Sequence, residues 1–182
     1  MILVIRFIGI MNAAIWLGAA VSFTFAGIPA FFSGEVKTLG LHPFWNGAMA
    51  ELLVARYFYL QHICGVIALA HLLAEWVYLG RKLPRLTLGL LIGLLSLGLI
   101  GGLWLQPKLK KLHQIKYSMS EQYQPVAIPA EERSHAARSF AVWHGVSRAM
   151  DLIAMAALVV YFWRVAHPTD SFRFVSANKF RS

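Results

Sequence analysis

Four long apolar blocks dominate this sequence, at roughly residues 7–33, 52–79, 84–106 and 137–164. About 20 mostly apolar residues cross the hydrocarbon core of a bilayer, and each block reaches that length. Inside lipid the backbone must satisfy its own hydrogen bonds, so each block is read as a helix. The chain is 58% hydrophobic and only 14% charged, whereas a soluble domain carries about a quarter charged residues. The pattern predicts an all-α, polytopic transmembrane four-helix bundle. It places one domain in residues 1–166 and a flexible, weakly basic tail in 167–182.

The first block exceeds the roughly 7–15 apolar residues of a signal sequence, and only apolar residues precede Arg6. It is therefore read as a retained span. The formal charge of +9 and the pI near 10.1 would suggest nucleic acid in a soluble protein. Here the cations sit in loops and at helix ends, where they orient a membrane protein and meet anionic lipids. The lipid bilayer is the expected partner and nucleic acid is not. The single cysteine, Cys64, excludes a disulfide framework, a CxxC pair and a zinc ribbon. The short loop carrying Arg81, Lys82 and Arg85 lacks acids, which points to cytoplasmic termini, and a bacterial inner (plasma) membrane is the expected location.

"GRKLP" (80–84) reads as a tight turn. The connection over 34–51 offers Phe44 and Trp45 to an interfacial belt. In the longest connection, 107–136, apolar residues at Leu109, Leu112, Ile115, Met119 and Tyr123 alternate with lysines, as in an amphipathic helix continuing span three. Pro129, Glu131 and Glu132 then signal a helix start. Helices three and four are thus expected to extend beyond the membrane as a hairpin. For packing, Ala14, Gly18, Ser22, Ala26 and Ala30 recur every fourth position, as do Gly89 with Gly93 and Gly98 with Gly102. Small residues let transmembrane helices approach closely. These stripes are expected to pack the bundle or, alternatively, to dock a partner subunit.

The fourth block carries His144, Arg148 and Asp151 on one helical face, with Ser147 on its flank. Arg148 and Asp151 are spaced to pair along the helix, which lowers the cost of burying either charge. The second block carries His62, His71 and Glu75. His62 lies about ten residues into its block and His144 about seven into its own, so the two imidazoles are expected at similar depth. Two such rings could clamp a haem iron or help to bind copper, with Gly65 and Gly145 leaving room for a flat ligand. A structural polar network, or a proton or substrate path, would use the same residues. His71 and Glu75 are expected near the far interface. His42, His113, His135 and His167 are expected at the surface. No glycine elbow, paired-acid site or HExxH is present, so the chain is read as a non-enzyme.

Four segments in order, "WLGAAVSFTFAGIPAFF" (16–32), "YFYLQHICG" (57–65), "LWLQPKLKKL" (103–112) and "SFAVWHGVSRAMDL" (139–152), resemble the transmembrane protein 205-like family. The resemblance implies a four-span helical protein, puts His62 and His144 at motif positions and suggests metal handling, copper included. The family pattern has asparagine near Asp151, so the charged pair departs from it. Two functions are carried forward. One is a membrane protein binding haem b or a metal through His62 and His144. The other is a non-catalytic accessory subunit of a larger membrane complex.

Overall fold

The structure, a computed structural model, describes residues 2–79 and 84–167. Most of the 80–84 turn, with Arg81 and Lys82, and the tail from 168 lie outside the described residues. Among the described residues nine helical segments follow in order. They are α1 (Ile2–Ser22), a π-helical stretch (Phe23–Gly27), α2 (Ile28–Ala30), α3 (Gly34–Thr38), α4 (Pro43–Leu79), α5 (Arg85–Leu99), a second π-helical stretch (Ile100–Leu105), α6 (Gln106–Lys116) and α7 (Ala130–Ala166). They combine into four helices long and apolar enough to cross a membrane, Leu3–Thr38, Pro43–Tyr78, Arg85–Lys116 and Ala130–Ala166. Each runs to 32 residues or more, longer than the hydrocarbon requires, so the helices project beyond it.

Both π-helical stretches have a sequence cause. Each is followed two residues later by a proline, Pro29 and Pro107. Proline lacks an N–H, and its ring collides with the carbonyl four residues earlier in a regular helix. A wider π turn moves that carbonyl aside, so the helix continues through the proline. α7 starts directly after Pro129, with Glu131 and Glu132 in its first turn, as the helix-start signal anticipates. The α6–α7 connection closes on itself through Ser120 N–H to the Gln124 carbonyl (2.8 Å) and Val126 N–H to the Ser118 carbonyl (2.9 Å).

The spans pack in a ring. α1 lies between α4 and α7, and the α5–α6 span lies between the same two on the other side. α4 and α7 thus sit across a diagonal. The core holds Ala13, Trp16, Ala20, Cys64, Ala68, Leu72, Leu91, Leu94, Leu158 and Tyr161. Trp16 and Tyr161 meet edge to face at 6.1 Å. Lipid tails are as apolar as leucine, so the spans are held by close contact and interhelical hydrogen bonds. Asn12 Nδ2 donates to the Cys64 carbonyl (2.9 Å), and Gln61 Nε2 to the Leu94 carbonyl (3.4 Å). Arg164 Nε donates to Thr87 Oγ1 (3.3 Å). Gly98 gives way to the Gln61 amide, and Gly101 and Gly102 to the Phe58 ring.

The small-residue stripes need a correction. Gly18 and Ser22 face outward, as do Ala26 and Ala30, and Ala14 is only half-buried. α1 packs through Asn12, Ala13, Trp16 and Ala20 instead. Gly89 and Gly93 also lie outside, and a Cβ on Gly18, Gly89 or Gly93 would meet no atom within 4 Å. A four-residue spacing defines a face but not its direction. Here Trp16, about half a turn away from Gly18 on the helical wheel, turns the opposite face inward.

Candidate functional site

Leu105, which ends the second π-helical stretch, and Leu109 and His113 of α6 lie four residues apart, so they share one face. That face meets the start of α4. His113 is only 4% exposed, which overturns its expected place at the surface. Its imidazole stacks on Phe44 (5.1 Å, 12°), meets the edge of Tyr117 (5.0 Å) and leans against Phe140 of α7 (5.7 Å). Gly47 makes this possible, since a Cβ there would overlap the ring. Glu51 lies one turn further along α4, and its Oε1 is 3.0 Å from His113 Nδ1. That Nδ1 is enclosed, and its alignment falls short of a hydrogen bond, so the contact is chiefly electrostatic. One aromatic box with an acid at its wall therefore joins α4, α6 and α7.

The box marks where the chain leaves the membrane. Beside it Trp104 and Trp143 meet edge to face (5.2 Å), and Lys108 Nζ lies 3.5 Å from the centre of the Trp143 ring. Tryptophan rings and snorkelling lysines are interfacial anchors. Toward the other end of α4, His71 Nε2 is also enclosed without a hydrogen-bond partner, with its ring against Gly9. It is buried, not solvated at an interface.

His62 and His144 do not meet. His62 Nδ1 donates to the Phe58 carbonyl (2.5 Å) of its own helix, and its Nε2 is enclosed without a partner. Its neighbour Gln61 packs on Gly98, and Phe58 on Gly101 and Gly102, so His62 is level with about Gly98. His144 is exposed and stacks on Phe140 (5.6 Å, 9°). Since Phe140 touches His113, His144 one turn on is level with about Leu109. At 1.5 Å per residue the two rings stand roughly 15 Å apart along the bundle axis. The diagonal between α4 and α7 separates them further, so one metal ion does not bridge them. The expected match in depth fails because residues 136–143, apolar enough to extend block four, pack on α6 at the hairpin end. Ala136 is buried there.

The polar stripe of α7 also splits. Ser147 and Asp151 turn inward and are half-buried, whereas Arg148 is exposed. Asp151 Oδ2 accepts a 2.8 Å hydrogen bond from Thr24 Oγ1 in the first π-helical stretch. No Arg148–Asp151 ion pair forms among the described residues. The carboxylate takes the neighbouring hydroxyl in place of a flexible guanidinium three residues away. Phe23 beside Thr24 stacks on Tyr57 of α4 (4.4 Å, 12°). Among the described residues no three His, Cys, Asp or Glu side chains gather as a metal site.

Residues 11–118, more than half of the chain, match a family described as a domain of unknown function, DUF4149. The protein belongs to the DUF4149 family. No curated protein and no solved structure matches it. The DUF4149 stretch runs from α1 to the end of α6. It holds Thr24, Glu51, His62 and His113 and stops before His144, Ser147, Arg148 and Asp151. Sequence reasoning missed Glu51, His113 and Thr24. Of these, only the four-residue repeat Leu105, Leu109, His113 left a readable signal.

Proposed function

We propose that this DUF4149 protein is a non-catalytic membrane subunit that seats a partner helix on the outer face of α5. The observation that supports this is the pair Gly89 and Gly93, one turn apart with open space over both. Exposed Leu86 and Ile92 flank them. A glycine in a helix costs roughly 0.5–1 kcal/mol relative to alanine and offers lipid no side chain. In a membrane that cost is offset where another backbone approaches closely. The bacterial inner (plasma) membrane and cytoplasmic termini complete the proposal. The side proposed for the termini rests on the cationic, acid-free residues 81–85.

The resemblance to the transmembrane protein 205-like family would add metal handling. The separation of His62 from His144 disfavours a shared haem or copper site, so the subunit reading is preferred. A photo-crosslinking residue at Ile92 should yield one defined adduct in native membranes, and Gly93→Leu should abolish it while the protein still folds. Adducts with lipid alone would sink the proposal. A Soret band or stoichiometric copper, lost in both His62→Ala and His144→Ala, would restore the metal reading.

A further inference from the structure

Arg148 is an exposed cation inside a candidate span, with no ion pair or hydrogen bond to the described residues. A charge at membrane depth is costly unless it is paired or reaches the interface. Its depth can be read from its neighbours. Trp143, five residues earlier, lies in the Trp104–Lys108 belt. At 1.5 Å per residue Arg148 Cα sits roughly 7 Å inside that belt. Side chains on a helix lean toward its N-terminus, and the N-terminus of α7 is at the hairpin end. The Arg148 side chain therefore reaches outward, toward His144 one turn above.

His144 is exposed too, and its ring is held parallel to Phe140. Lys116 Nζ lies 5.3 Å from the centre of that same Phe140 ring. Three cationic or imidazole groups thus gather at the headgroup layer. Two carboxylates of this region are engaged elsewhere, Asp151 with Thr24 and Glu51 with His113. A planar guanidinium forks onto two phosphate oxygens, and an imidazole N–H can donate to a third.

We infer that Arg148 and His144, supported by Lys116, form an interfacial site for a phosphate group. An anionic lipid headgroup and a soluble phosphate share this chemistry. The purified full chain is melted in phosphatidylcholine vesicles with and without phosphatidylglycerol, and separately with inorganic phosphate. Phosphatidylglycerol raises the melting temperature of the wild type, and Arg148→Gln and His144→Gln each weaken the apparent affinity at least about tenfold. Lys111→Gln, an exposed cation on α6, keeps the response. A shift with inorganic phosphate that Arg148→Gln removes assigns the site to a soluble phosphate, and a shift with phosphatidylglycerol alone assigns it to lipid. If both variants respond like the wild type, or the wild type responds to neither, the inference is wrong. Arg148→Lys, which keeps the charge without the fork, serves if Arg148→Gln does not fold, and it should lose part of the response.

Discussion

At the level of Gly98 two helices touch through a glycine and an amide; at the level of Gly47 they touch through a glycine and an imidazole. Inside the membrane several contacts pair a small residue or a single amide with a backbone carbonyl or ring, as at Asn12, Gln61 and Gly98. At the hairpin end they are stacked rings around one acid–imidazole contact. The difference follows from the solvent. Lipid gives helices no hydrophobic reason to associate, so surface fit decides. Where water competes, burying Phe44 and the ring of His113 is itself favourable.

If that contrast holds, overfilling the midplane should do the most harm. Gly101→Leu would drive a branched side chain into the Phe58 ring, whose nearest atom lies 2.8 Å from where a Cβ would stand. Overpacking of this kind costs about 1–3 kcal/mol and occasionally more. The fraction of protein recovered folded in detergent should fall sharply, whereas Gly89→Leu, on the open face, should leave it unchanged.

A change at the hairpin end should be smaller and local. His113→Ala removes a ring packed on Phe44, Tyr117 and Phe140 and leaves Glu51 without its partner. Because Glu51 keeps 21% exposure, water relieves part of the penalty, and a loss of about 2 kcal/mol is expected. Hydrogen exchange should quicken in α6 and in residues 130–140 while α5 stays protected. Uniform loss across all four spans would break the distinction between the two regions.

This division also explains what was legible. The four spans follow from hydropathy because bilayer thickness imposes their length. Depth does not follow, because an apolar residue reads alike whether it faces lipid or another helix. Ala136 and Phe140 face α6, so counting from the start of block four set His144 too deep. Lysines at 108, 110, 111 and 116 marked α6 as an amphipathic helix beyond the membrane but did not show that His113 lies on its packed face. The small-residue stripe of α1 was visible, but its direction depended on Trp16 winning the core.

The smallest effects concern α7. Transmembrane hydrogen bonds average about 0.6 kcal/mol and reach about 1.7 kcal/mol, so a Thr24→Val and Asp151→Asn cycle should show a coupling in that range. A cycle between Arg148→Gln and Asp151→Asn should show almost none, within about 0.3 kcal/mol, because Asp151 is turned toward Thr24 and the guanidinium toward the interface. The two cycles share one carboxylate and one helix, and the competing partners lie at comparable reach along the chain or across the interface. A coupling of about 1 kcal/mol or more with Arg148, well above the additivity limit for independent sites, would mean that Asp151 swings between the two. The α1–α7 contact at the first π-helical stretch would then be adjustable. A null result leaves Arg148 as a charge without a partner among the described residues, the condition on which a phosphate site at this end of the bundle rests.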